Sequence, residues 1–425
     1  MPQIKVVDPV TRIEGHARIA LETDDSGGVT RGHLQVLEIR GMEKLLQGTE
    51  LFKMPQITAR ICGVCPAAHH MAAVQAIENG LGVTPPRDAT LLRDLMYAGH
   101  VLHSHALATF VLAGPDVLMG VGAAPETRNI FALLGLDPEL GKKALRLRSI
   151  GQRTVEIIGG RGVHPVTAIP GGMAARPDRE KLTTIASWGR EAFSLLDEVT
   201  SLVQEKVGAL ADLREAMTLS FAPLALSRAG VFSLLGGELT LGDTTGKRGR
   251  SVAAADYASL MVEKVMPDSY MKAVELREPA GANCFVGPLA RLNLADSMPT
   301  PRANEALARF HASGRVRQSA LDYVEARLVE MLCCAEWLAT LPEQIGDGPV
   351  TVATQPRAGR YVGVVEAPRG ILVHDYTADE QGRVASLNLI VATQNNYAAI
   401  DEAITGAARH LMPRHDDNLL LNGVE

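Results

Sequence analysis

The run from Arg60 to His70, RICGVCPAAHH, restricts the folding of this chain more than any other stretch. Two cysteines separated by two residues, Cys62 and Cys65, can aim both sulfurs at one point. Pro66 suits the first position of a helix. Cys65 would then stand at a helix N-terminus, where the dipole favours a thiolate. His69 follows Cys65 by four residues, on the same helix face, so its imidazole can reach the sulfur or a metal. Thiolates select soft metals: zinc, the iron of iron–sulfur centres, copper or nickel. A structural zinc site needs four ligands, usually from a second pair of this kind or from two histidines, and no second Cys-x-x-Cys occurs in the 425 residues. A redox dithiol would want a βαβ setting that the flanks do not supply. Metal binding is the leading reading, and the dithiol stays open beside it.

The other three cysteines, Cys284, Cys333 and Cys334, lie in apolar surroundings and read as packing residues. Five cysteines in a long chain argue against a disulfide framework and for a reducing, cytoplasmic compartment. A net charge of −6 offers no footprint for nucleic acid. The N-terminus has no apolar signal region, and no stretch approaches a membrane span. A membrane association would therefore have to come from a partner.

The ends of the chain read as β and its middle as helix. Ile4 to Val7, Ala17 to Thr23 and His33 to Ile39 are β-rich runs, the last two parted by the turn sequence DDSGG. Helical patterns cover Ala67 to Leu81, Ala89 to Ala113, Pro138 to Ile158, Arg179 to Leu213 and Ala303 to Leu341. Short apolar runs return at Val350 to Ala353, Tyr361 to Val365, Ile371 to Tyr376 and Ala385 to Val391, before a last helix from Tyr397 to Leu411. The expected class is mainly α with small β elements (α+β). One domain, 1–425, is expected: an N-terminal β segment to about residue 40, a helical body over about 56–345 and a C-terminal β/α segment from about 350.

RICGVCPAAHH resembles the N-terminal metal-binding motif of nickel–iron hydrogenase large subunits. Upstream, DPVTRIEGHARI and the Arg40–Glu43 stretch RGME are similar to the family's preceding motifs. Downstream, GGRGVHP (Gly159 to Pro165), EAPRG (Glu366 to Gly370) and VATQNN (Val391 to Asn396) follow in the family's order. The resemblance spans the chain, and the tail looks nearest to the cytoplasmic methyl-viologen-reducing type linked to heterodisulfide reductase.

The resemblance implies the large-subunit fold, with long central helices and β segments from both ends. It implies reversible heterolysis of dihydrogen at a nickel–iron centre carrying carbonyl and cyanide. Electrons would leave through an iron–sulfur small subunit to further electron-transfer subunits. Cys62 would be a terminal nickel ligand and Cys65 would bridge nickel and iron. His69 would hydrogen-bond toward a cysteine sulfur. Glu14 would relay a proton, its bland alternative being an ion pair with Arg12 or Arg18. Glu43 would hold a magnesium-type ion. Pro368 and Arg369 would lie over the diatomic ligands of iron, Thr393 would donate to a cyanide, and Asp116 would partner Arg369. His164 would support the pocket floor or serve as a structural histidine. The family's second motif, DPCxxCxxH, is absent from this sequence. A short separate peptide carrying Cys-x-x-Cys is one expected source, a truncated sequence is another explanation, and an inactive hydrogenase-like scaffold is the alternative function.

Overall fold

The computed structural model describes residues 4–312, 314, 316–414 and 416–425. Strands β1 (Ile4–Val7), β2 (Ala17–Thr23) and β3 (Val29–Val36) form an antiparallel sheet in that order. The turn between β2 and β3 is closed by Asp24, whose carboxylate accepts from the amides of Ser26 (2.8 Å) and Gly28 (2.9 Å). β3 lies ahead of the expected His33 to Ile39 because Val29 to Gly32 continue the ladder against Thr23 to Leu21.

The helices follow. α1 (Pro66–Leu81) and α2 (Arg87–Ala106) are buried on nearly every face. α3 (Pro138–Gly159) and α4 (Arg179–Gly208) start at Asp137 and Asp178, whose carboxylates accept from the amides of Leu140 and Lys181. α2 and α3 cross closely: a Cβ on Gly151 would stand 2.4 Å from the carbonyl oxygen of Gly99.

The expected helical body contains a five-stranded sheet. It is built on β4 (Ala222–Arg228), β5 (Glu238–Gly242), β6 (Arg248–Ala253) and β7 (Cys284–Phe285) in the order β7-β4-β5-β6, with Val231–Phe232 also paired to β4. β4 is buried through most of its length, so its apolar run lacks the alternation that marks a half-exposed strand.

Two expected helices are interrupted. Ala303 to Leu341 divides into α5 (Pro301–Phe310) and α6 (Asp322–Gln344). Between them Gly314 takes φ +130°, and the Asp322 carboxylate accepts from the Ser319 amide (3.0 Å). α4 stops at Gly208, and a short helix, Ala211–Ala216, covers the rest of the expected span. The Ala89 to Ala113 pattern resolves into α2 and a π-helical turn, Leu107–Leu112.

At the C-terminal side β8 (Gly359–Ala367), β9 (Gly370–Ala378) and β10 (Val384–Ile390) form an antiparallel meander. Val350 to Ala353 makes only an isolated bridge, Thr351 to Gly172, instead of the expected strand. α7 (Tyr397–Leu411) and α8 (Asp417–Val424) follow. α7 packs on β3: the Gly32 amide donates to Thr405 Oγ1 (2.9 Å), the Leu34 amide to Asp401 Oδ1 (2.9 Å), and Tyr397 Oη to the Leu34 carbonyl (2.9 Å). The two ends of the chain are thus tied together. The largest apolar cluster gathers α2, α3, α4 and α6. Among the described residues no helix is long and apolar enough to cross a membrane.

Candidate metal centre

Cys62 leaves a short 3-10 turn in extended conformation, and Cys65 caps α1 with Pro66 in its first turn, as the spacing predicts. The Cys65 amide donates to Cys62 Sγ at 2.9 Å. The two sulfurs adjoin as a disulfide, with 5.4 Å between the Cα atoms. This is the one bridge among the described residues. Cys284, Cys333 and Cys334 are free and buried, and burial pushes the Cys284 thiol up to about 12.

Glu14 comes to this pair from the loop between β1 and β2. Its Oε2 lies 3.1 Å from Cys62 Sγ, and Oε1 accepts from the Gly63 amide. A Cβ at position 63 would stand 2.9 Å from Oε1, so glycine lets the carboxylate approach. The bland partners of Glu14 are engaged elsewhere: Arg12 with Asp116 and Glu425, and Arg18 with Gln35.

Arg369 stands in the turn between β8 and β9, deeply set, with the charge of Glu14 acting on it. Its guanidinium has no hydrogen bond or ion pair among the described residues, and burial lowers its pKa. Arg327 on α6 is also set in the interior. Burial, and then the charge of Arg369, lower its pKa to about 10. Neither arginine has a carboxylate ion pair among the described residues, and of the two only Arg369 feels the charge of Glu14.

Beneath the turn lies a network that the sequence did not reveal. Arg291, fully buried, donates through Nε and Nη2 to the two oxygens of Glu330, both at 2.7 Å, and through Nη1 to Glu366 Oε2 at 2.7 Å. It also donates to the carbonyls of Ala367 (3.1 Å) and Pro368 (3.3 Å). Glu330 accepts from His105 Nε2 (2.7 Å), and Glu366 from the Leu226 amide (2.7 Å). Burial acts to raise Glu330, but Arg291 and His105 overcome it and hold the carboxyl at about 2. Glu366 receives one prong of the guanidinium instead of two, and burial raises it. Arg291 thus grips the backbone just before Arg369. The available signal is a carboxylate, Glu330, inside the apolar run LVEMLCCA.

Asp116 does not partner Arg369. It binds Arg12 and Arg128, and Arg12 Nη1 also donates to the Leu112 carbonyl at 2.8 Å. The π-helical turn leads directly into the Gly114–Met119 helix, whose first turn carries Asp116 to the Thr11–Arg12 segment. Arg128 also engages Asn422 of α8, so this cluster ties both chain ends to the end of α2.

Glu43 lies elsewhere, half-buried, bound by Arg40 Nε at 2.9 Å. Arg40 also reaches Glu263 Oε1 (3.1 Å) and the Leu389 carbonyl (3.2 Å). Glu263 carries no sequence signal of its own. Its burial acts to raise it, yet the amides of Asn388 and Gln394 hold it low. Thr393 sits in the Ala392–Asn395 turn after β10, and its hydroxyl has no partner among the described residues. His69 bonds through Nδ1 to His374 Nε2 (3.1 Å), and burial lowers its pKa to about 4. His164, at φ +57°, makes no hydrogen bond with these groups among the described residues.

The donor set fits part of a soft-metal centre: two adjoining sulfurs, a carboxylate at one of them, and an unpaired buried guanidinium for an anionic ligand. Among the described residues no group of three or more His, Cys, Asp or Glu gathers to hold a metal by itself.

Comparison with known proteins places this geometry. Residues 40–126 match the model of the family described as nickel-dependent hydrogenase, and residues 5–39 match a HoxL-like model. The chain is 35% identical over 418 residues to a vhu F420-non-reducing hydrogenase chain of Methanococcus voltae, covering 95% of this chain and 98% of that protein. It is 33% identical over 450 residues to the NAD-reducing hydrogenase HoxS subunit beta of Cupriavidus necator, covering 99% and 91%. The fold superposes on an NAD+-reducing [NiFe]-hydrogenase in the H2-reduced state with TM-score 0.95 at 34% identity, covering 99% of this chain and 96% of that one. The [NiFeSe] hydrogenase of Desulfovibrio vulgaris Hildenborough shares the fold at TM-score 0.81 and 23% identity, covering 100% and 97%.

The chain belongs to the nickel-dependent hydrogenases. It is a large subunit of the nickel–iron type, an oxidoreductase acting on dihydrogen, built to work with other subunits; the scaffold alternative is not favoured.

Proposed function

We propose that Cys62 and Cys65, once reduced, would hold a nickel–iron centre as two thiolate ligands, and that Glu14 carries the proton released there. The observation that carries this reading is the 3.1 Å contact between Glu14 Oε2 and Cys62 Sγ. When bound, the metal pair supplies the site at which dihydrogen is polarised and split. With the cysteine pair reduced, a proton held at Cys62 Sγ would be within direct transfer distance of Glu14 Oε2, which can accept it. The carboxylate is exposed, so it can pass the proton outward. Arg369 would supply fixed positive charge toward carbonyl and cyanide on iron, with Pro368 beside it in the turn. Thr393 is assigned to donate a hydrogen bond to a cyanide. Glu43 is assigned to a magnesium-type ion, and His69 to the sulfur side of the pocket. Asp116, in place of the role expected for it, anchors the loop that carries Glu14 through Arg12.

The same reading includes one integrated domain and an electron exit through an iron–sulfur small subunit to further electron-transfer subunits. It also includes a Cys-x-x-Cys segment supplying the remaining thiolates. The sparse cysteines support a cytoplasmic setting.

Glu14→Gln tests the central claim. Glutamine keeps the size and the bond to Gly63 but cannot relay a proton. Dihydrogen turnover by the assembled enzyme should fall at least about 10²-fold. Nickel and iron content, and the infrared bands of carbonyl and cyanide, should stay as in the parent. Parent-like exchange between dihydrogen and deuterated water in this variant would refute the assignment.

A further inference from the structure

Glu14 reaches Cys62 from a loop with few anchors of its own. Thr11, Ile13, Glu14, Gly15 and His16 are exposed, and of residues 11–16 only Arg12 is half-buried. Arg12 also takes a left-handed backbone, at φ +56°. That conformation costs a non-glycine residue about 1–2 kcal/mol and persists only where the surroundings fix it.

The groups that fix it come from two distant parts of the chain. Arg12 Nη1 donates to Asp116 Oδ2 (2.5 Å) and to the Leu112 carbonyl (2.8 Å), and Nη2 lies 3.8 Å from Glu425 Oε2. The other oxygen of Glu425 accepts from the Thr11 amide, so one carboxylate holds the loop by backbone and by charge. Arg128 completes the group. Its Nε donates to Asp116 Oδ1 (2.8 Å), and its Nη1 lies 3.5 Å from Glu425 Oε2. Arg128 also donates to the side chain and the carbonyl of Asn422, and Asn422 Nδ2 donates to the carbonyls of Val121 (2.9 Å) and Ala123 (3.1 Å). Asp116 and Glu425 are therefore held in place without help from Arg12. The two arginines balance the two carboxylates, and no cation of the group is left over for Glu14. A free Arg12 would have Glu14, two residues along, as its nearest carboxylate in the sequence. That ion pair would draw Glu14 from the Gly63 amide and from Cys62.

We infer that Arg12 is a positioning residue for Glu14: gripped by Asp116 and Glu425, with Arg128 setting both carboxylates, it fixes the loop so that Glu14 meets Cys62 Sγ and the Gly63 amide, and it keeps its own charge off Glu14. The catalytic meaning of this grip rests on the proton-relay reading. The placement of Glu14 belongs to the polypeptide and is measured without turnover.

The test is amide hydrogen exchange of the full chain, resolved to single residues. Gly63 is exposed and its amide donates to Glu14, so its protection reports where Glu14 lies. Arg12→Gly accepts the left-handed backbone without strain but removes the guanidinium. Arg128 stays with Asp116 and Glu425, so neither carboxylate is stranded. Exchange at Gly63 and Thr11 should become at least about 10-fold faster than in the parent. Arg12→Lys, which keeps the charge but not the forked grip, should fall between the two. Turnover of dihydrogen by the assembled Arg12→Gly enzyme should fall about 10-fold, with nickel and iron content unchanged. In a Glu14→Gln background the same substitution should bring no further loss, because it acts through Glu14. Parent-like protection of Gly63 in Arg12→Gly and Arg12→Lys, or a loss of turnover that adds in full to that of Glu14→Gln, overturns the inference. Parent-like isotope exchange in Glu14→Gln would instead strike the proton relay, and Gly63 protection would still decide the placement.

Discussion

The two sides of the site are built differently. Glu14, Cys62 and Gly63 lie on loops near the surface, joined by few bonds. The Pro368–Arg369 side rests on a fully buried arginine that binds two carboxylates and two carbonyls. The contrast matches the chemistry each side has to do. A group that hands protons outward must reach water and change partners. A fixed charge must not move when charge develops beside it. The network beneath achieves this by leaving Arg291 no freedom while leaving Arg369 no competing partner.

The sharpest way to break the comparison is to remove Arg291. Arg291→Met would leave Glu330 and Glu366 buried without their cation. Leaving such carboxylates uncompensated costs about 3–5 kcal/mol. Urea unfolding of the purified chain should show a loss of that size. A loss under about 1 kcal/mol would mean that the network does not hold the turn.

Arg369→Met should behave in the opposite sense. Its guanidinium is desolvated with no carboxylate partner, so stability should hold or rise. Turnover should fall about 10²- to 10³-fold, as when a preorganised electrostatic group is deleted. Assay of dihydrogen oxidation beside thermal unfolding separates the two effects. A destabilised Arg369→Met with intact turnover would reverse the roles given to the two arginines.

Buried histidines sharpen the comparison through pH. His70 bonds through Nδ1 to the Pro55 carbonyl (3.0 Å), its Nε2 has no hydrogen-bond partner among the described residues, and burial lowers its pKa from 6.5 to about 4. The unfolded chain therefore binds this proton first as pH falls. The stability contributed by the neutral buried ring is complete above pH 6.5 and is lost between 6.5 and about 4. His70→Gln should flatten the fall in unfolding free energy across that window by about 1.4 kcal/mol per pH unit. An unchanged slope would show that His70 titrates alike in both states.

Much of this was legible in the sequence, for local reasons. The α1 start could be read because Cys65, Pro66 and the helix formers after them are contiguous. Tyr397 to Leu411 was found at its observed ends because its apolar face repeats at helical period. Glu14 was picked out through the resemblance, and its contact with Cys62 spans 48 positions that no periodicity encodes. β4 was hidden because a strand buried through most of its length carries no alternation. Arg291, Glu330 and Glu366 were hidden because a buried ion network is written as single charges in separate apolar runs. Asp116 was assigned the wrong arginine because three cations, Arg12, Arg128 and Arg369, competed for it and only the path of the chain selects among them.

The smallest effect is expected at Glu43. Its ion pair with Arg40 is half-buried and three residues apart, a kind worth about 0.2–1 kcal/mol. Arg40 would keep Glu263 and the Leu389 carbonyl after Glu43→Gln, so no buried charge is left bare. Unfolding free energy should fall by less than about 1 kcal/mol, far from the Arg291→Met loss. If Glu43 also holds a divalent ion, elemental analysis of the assembled enzyme should lose that ion in the variant while nickel and iron remain. Loss of nickel instead would tie Glu43 to the thiol pair. A stability loss near that of Arg291→Met would put this half-buried cluster in the same class as the buried network, and the comparison between an adjustable edge and a fixed interior would no longer stand.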